Sequence, residues 1–228
     1  KAHMTDLTGN ETACYAYCGK VFRRQEKNSE RASEYLQVGY EIFDPTDVIK
    51  SDTDAFCIIK EALGDLPIRV ATGDIGILMT AVSSLKTTSR RKKALLRHIW
   101  RPQRFLTILE KFTNEVSLSS ERFDGFDAEK SFGNQAKEIG LRSKSEVIEC
   151  IENLLQDSKA APISTTELDV INCLLNIGDK CPQALIKLKD LLPDMPALES
   201  TIGKFEKRLS ALDNANVDLS SIDFEVSY

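Results

Sequence analysis

Two neighbouring stretches decide the fold: Ala13-Cys14-Tyr15-Ala16-Tyr17-Cys18-Gly19-Lys20-Val21-Phe22-Arg23 and Ser33-Glu34-Tyr35-Leu36-Gln37-Val38-Gly39-Tyr40-Glu41-Ile42-Phe43. Both are rich in aromatic and β-compatible residues, and the second alternates. A charge-rich loop over 24–32 separates them. One antiparallel hairpin accounts for the whole segment. In the second strand Leu36, Val38, Tyr40 and Ile42 fall on one face, which reads as a core face. Tyr35, Gln37, Gly39, Glu41 and Phe43 fall on the other, an unusual run of amide, glycine and carboxylate.

Arg23 ends the first strand beside the loop. A guanidinium, an amide and a carboxylate over a glycine floor suit a zwitterionic ligand. Glu41 would pair with an ammonium, Arg23 with a carboxylate, and Gln37 with a polar group between them. The same alternation also describes the solvated face of a hairpin, and the pattern by itself leaves both readings open.

Working outward, Asp44-Pro45-Thr46-Asp47 stops the second strand. A helix is predicted over 51–63, with Ser51 or Asp52 as cap. A strand over 67–73 leads through Gly73-Asp74-Ile75-Gly76 into a helix carrying Leu78, Val82 and Leu85, a strand–helix–strand arrangement on one sheet. From residue 89 the pattern turns helical, with segments at 89–99, 102–112, 144–155, 165–175, 182–191 and 195–212. Between them, 114–140 reads as a loop with room for one helix. The last residues, 221–228, alternate like a strand and stop without a turn, so further sequence is expected downstream. The fold class is α+β. Residues 1–86 form part of a core sheet, 87–215 a mainly helical insertion, and 216–228 a return strand.

Composition narrows the function. Of 228 residues 42% are hydrophobic, enough for a sizeable core, and the net charge of −5 disfavours nucleic acid as a partner. No apolar run approaches membrane-spanning length. The basic group Arg90-Arg91-Lys92-Lys93 reads as the wet face of a helix whose apolar side is Leu95, Leu96 and Ile99. His98 reads as a surface or capping residue. The six cysteines form no C-x-x-C pair, so neither zinc nor another metal is expected, and reduced thiols in the cytoplasm are the default. Cys57, Cys150 and Cys173 lie in apolar helical patterns and read as small buried hydrophobes. No catalytic triad pattern, P-loop or dinucleotide fingerprint is present, and no cofactor is expected.

Val21-Phe22-Arg23, the charged loop, and Glu34 to Glu41 with its Gln-x-Gly-x-Glu core resemble motif 2 of the histidyl-tRNA synthetase family. Asp52-Thr53-Asp54-Ala55-Phe56 continues the likeness. Gly73-Asp74-Ile75-Gly76-Ile77-Leu78, Leu95-Leu96-Arg97-His98-Ile99-Trp100-Arg101-Pro102 and Lys137-Glu138-Ile139-Gly140-Leu141-Arg142-Ser143 resemble one branch, the regulatory subunits of ATP phosphoribosyltransferase. Lys1-Ala2-His3 resembles the segment after the family's first core strand. Motif 1, the Tyr-Tyr motif and motif 3 do not occur, so the core is expected to be incomplete at both ends.

The resemblance implies a class II aminoacyl-tRNA synthetase-like antiparallel sheet with a helical insertion, and no catalysis. It implies a hetero-oligomer with the short-form catalytic subunit, self-association, and L-histidine as feedback effector. Arg23, Gln37 and Glu41 match positions that contact histidine in the family: Glu41 for the amino group, Gln37 nearby, Arg23 for the carboxylate or an anion beside it. The competing reading is a histidyl-tRNA synthetase core, and a third is an unrelated helical interaction protein.

Overall fold

The structure, a computed structural model, describes residues 12–25, 30–113 and 143–227. The expected loop over 114–140 and the segment Lys1-Ala2-His3 lie outside the described residues. The chain divides into two compact units. One is the described part of Lys1–Val70 with Lys204–Ser221; the other is the described part of Ala71–Gly203 with Ile222–Tyr228. These units do not coincide with the three segments drawn from the sequence.

The first unit is built on a hairpin, β1 (Ala13–Phe22) and β2 (Glu34–Phe43), paired antiparallel along its length. The Arg23 amide extends the pairing by donating to the Ser33 carbonyl at 2.8 Å. Helix α1 (Val48–Leu63) follows. It starts three residues before the expected position because Asp47 is the cap, its carboxylate accepting from the Lys50 amide at 2.9 Å. It ends at Gly64, whose φ of 55° is costly for any residue with a Cβ.

The helix covers only one end of the hairpin. Cys14, Tyr40 and Ile42 face Lys50, Asp54 and Cys57 of α1 across a cleft of about 220 Å³. Farther along the same face Leu36 is 67% exposed and Val38 74% exposed. The expected core face is therefore core-like only at its Tyr40–Ile42 end. A two-stranded ribbon presents two faces of equal period, and only a covering element decides which residues are buried.

The second unit is mainly helical: α2 (Ile75–Ser84), α3 (Ser89–Arg97), α4 (Pro102–Thr113), α5 (Lys144–Ser158), α6 (Thr165–Asn176), α7 (Cys181–Asp190) and the start of α8 (Glu199–Asn214). The starts of α2 to α7 each carry a local signal. Asp74, Thr88, Ser143 and Ser164 cap with their side chains, and Pro102 and Pro182 occupy first-turn positions. The core contains Ile77, Val82, Leu95, Phe105, Ile171 and Leu188, all 0% exposed.

Two corrections to the sequence reading belong here. The expected strand over 67–73 shrinks to β3 (Ala71–Thr72), which pairs parallel with β4 (Asp223–Phe224). Among the described residues β3 is not in one sheet with the hairpin. Phe224 is fully buried, and its amide donates to the Asp179 carbonyl while the Glu225 amide donates to that of Thr72.

The cysteines also depart from expectation. Cys150 and Cys173 are exposed, Cys57 is half-buried, and Cys181 is the buried thiol. The first two lie on helix positions that the core does not reach. No described helix is long and apolar enough to cross a membrane.

Candidate functional site

Residues directly opposite in an antiparallel pair share a face, so the register defines the candidate surface. Tyr15 stands opposite Glu41, Tyr17 opposite Gly39, Gly19 opposite Gln37, and Val21 opposite Tyr35. Arg23, one residue beyond β1, has the same parity. Arg23, Gln37 and Glu41 therefore share one face of the hairpin, the one opposite the cleft against α1.

They are not clustered on it. Arg23 lies eight residue pairs from the Tyr15–Glu41 pair, on the order of 27 Å along a ribbon that rises ~3.4 Å per residue. The ammonium and carboxylate of an amino acid share one carbon, so a single such head group cannot bridge them. Gln37 stands midway. The Arg23 guanidinium lies over the Tyr35 ring, 5.9 Å from its centroid, a cation–π contact.

The glycine floor also differs from expectation. The Tyr17 ring already occupies the space above Gly39: a Cβ added there would sit 2.2 Å from Tyr17 Cζ. The Tyr17 hydroxyl accepts a hydrogen bond from Gln37 Nε2 at 2.8 Å. Above Gly19, beside Gln37, an added Cβ would meet nothing within 4 Å. The open glycine is thus Gly19, and Tyr17 is the side chain that the sequence reading missed. Its signal was the register itself, since a tyrosine opposite a glycine tends to lay its ring across it. Beyond Glu41 the face is closed by an edge-on contact between Tyr15 and Phe43, with centroids 5.8 Å apart.

The opposite face carries different chemistry. Tyr40 has its hydroxyl pKa raised, first by a hydrogen bond with Cys14 and then by partial burial. Lys50 is salt-bridged to Asp54 at 2.7 Å. Among the described residues no group of three or more His, Cys, Asp or Glu side chains could hold a metal ion.

The basic helix α3 needs a correction. Arg91 is 2% exposed, not solvated. Its Nε donates to Asp157 Oδ1 at 2.9 Å, and its two terminal nitrogens donate to the carbonyls of Asp157, Ala160 and Ala161. The guanidinium lies 5.4 Å from the centroid of the Phe112 ring. Thr88 Oγ1 and Arg90 Nη1 complete the Asp157 carboxylate at 2.6 and 2.8 Å. This cluster holds α3 to the end of α5. His98 occupies the C-cap of α3.

An antiparallel hairpin with an aromatic and polar outer face, followed by a capped helix, fits the class II synthetase-like domain that the sequence resemblance implies. Residues 1–157 match the family model described as Histidyl-tRNA synthetase, and the chain belongs to that family. Within it, the chain is similar to proteins named ATP phosphoribosyltransferase regulatory subunit. That of Agrobacterium fabrum is 23% identical over 249 residues, covering 99% of this chain and 64% of the relative. Those of Brucella ovis and Brucella abortus are each 24% identical over 237 residues, covering 94% of this chain and 61% of the relative. The chain thus spans somewhat over three fifths of the length of these relatives. No solved structure matches.

Proposed function

We propose that this chain is the histidine-responsive part of a regulatory subunit of ATP phosphoribosyltransferase, with no catalytic step of its own. The observation that carries the reading is the extent of the likeness. The synthetase family match stops at residue 157, whereas the alignment with a relative named regulatory subunit runs over 99% of the chain, helical unit included. The partner is the short-form catalytic subunit in a cytoplasmic hetero-oligomer, and the regulatory chains associate with one another. The effector is L-histidine.

The outer face of the hairpin is where we place histidine. The register favours a ligand lying along the ribbon. Glu41 holds a cationic or N–H group of the histidine and Gln37 reads a polar group next to it, while Arg23, too distant for the same small molecule, takes an anion beside it. Glu41→Ala in the full-length protein is expected to weaken histidine binding at least tenfold by calorimetry, and an unchanged affinity removes this site assignment.

The functional test is co-elution of the full-length protein with a short-form catalytic subunit, followed by phosphoribosyltransferase assays with and without L-histidine. A complex with raised, histidine-inhibited activity is the expected outcome, because regulation requires a measurable linkage between effector and partner. The second reading, a synthetase core, is favoured by the family match over 1–157. It predicts aminoacylation of histidine tRNA and no complex.

A further inference from the structure

We infer that Tyr17 is a positioning residue of the candidate ligand face: it fixes the orientation of Gln37 and so decides which polar group of a ligand Gln37 can read. The inference rests on the proposed placement of histidine on this face.

A glutamine side chain carries two opposite functions, an N–H₂ that donates and an oxygen that accepts, and rotation by half a turn exchanges them. On an open strand face the amide would sample both. Here Gln37 Nε2 donates to Tyr17 Oη at 2.8 Å, which commits the nitrogen side to the tyrosine. The Gln37 oxygen is then the acceptor left for a ligand, and a ligand group that donates is preferred over one that accepts.

Tyr17 is itself held in place. Its ring lies against the backbone of Gly39, so close that a Cβ there would be 2.2 Å from Cζ, 2.3 Å from Oη and 2.5 Å from Cε1. The two residues are directly opposite across the strand pair, and only a glycine leaves room for the ring. Gly39 therefore serves Tyr17, and Tyr17 serves Gln37. The clear space over Gly19, Gln37's own cross-strand partner, is where the ligand group would meet the amide.

The test is a double-mutant cycle on the full-length protein, with L-histidine binding measured by calorimetry for wild type, Tyr17→Phe, Gln37→Ala and the double variant. Tyr17→Phe keeps the ring and removes only the hydroxyl. It is expected to weaken binding about three- to tenfold, the range of one hydrogen bond. In the Gln37→Ala background the same change is expected to have no further effect, since Tyr17 acts through Gln37. A purely structural role would instead lower both backgrounds equally and lower the melting temperature, which should stay unchanged in Tyr17→Phe. Gly39→Ala gives an independent check: it displaces the ring without touching either polar group and should weaken binding as Tyr17→Phe does.

Losses that simply add, or a Tyr17→Phe variant that binds like wild type while Gln37→Ala is weakened, would overturn the inference and leave the histidine site standing. Failure of the wild type to bind histidine overturns the site and the inference with it.

Discussion

At the scale of single residues, Arg91 is the most informative side chain. It looks like one of four solvated cations in a row, yet it is buried and makes four hydrogen bonds to the end of α5 and the turn after it. Replacing it by Met leaves the buried Asp157 with only Thr88 and the partly exposed Arg90 and is expected to cost about 2–3 kcal/mol in denaturant unfolding, whereas Lys93→Met, at an exposed position of the same helix, should change stability by roughly 0.5 kcal/mol or less. Thiol accessibility gives a second check. Burial, aided by the Asp223 charge, pushes the Cys181 thiol up to about 11. Cys14, Cys18, Cys150 and Cys173 should react with a thiol reagent at pH 8 in the native protein, and Cys181 only on unfolding. A third concerns Asp44, held at about 2 rather than the usual 3.8, first by the Thr46 hydroxyl and then by the Thr46 and Asp47 amides. A depressed carboxylate stabilises the fold above its unfolded pKa, and that contribution is lost as pH falls from about 4 towards 2. Thr46→Val should move the Asp44 titration, followed by NMR, up towards 3.8. The Arg91 and Cys181 properties were not visible in the chain, because each depends on a distant partner or on burial, whereas the Asp44 contacts are local, to Thr46 and Asp47.

At the scale of elements, legibility was much better. Helix starts are written in caps and prolines, and α6 begins at Thr165 as its helical pattern placed it, with Ser164 and Glu167 forming a capping box. That capping box extends past its own helix: Glu167 also accepts the Lys86 amide at 2.7 Å, tying α6 to the segment after α2. Ser164→Ala is expected to cost about 1 kcal/mol. Glu167→Ala should cost more, since it also strips the Lys86 amide of its acceptor, and thermal unfolding of the two variants side by side checks the order. The hairpin was equally legible in existence, while its register and its buried face were not. Leu36 and Val38 alternate as core residues do, but among the described residues the helix packed on this face is α1, and its reach ends near Tyr40. The candidate site shares that division. The common face of Arg23, Gln37 and Glu41 follows from parity. The spread along it, and the tyrosine lying on Gly39, follow from a register that must be counted across the turn.

At the scale of the whole molecule, the mixed class was recoverable because hydrophobic period changes from two to 3.6 within the first hundred residues. The sheet was not, because parallel pairing of two-residue strands leaves almost no local trace. That pairing carries a kinetic consequence. Ala71 and Thr72 meet Asp223 and Phe224 across about 150 residues of intervening chain, and closing so long a loop early would sacrifice more chain freedom than two short strands return. The helices between must condense first and bring the ends within reach. Phe224→Leu should therefore speed unfolding and leave the folding rate nearly untouched, the signature of an interaction made after the rate-limiting barrier. β4 is thus expected to act as a latch, closing late and releasing before the main unfolding barrier is crossed.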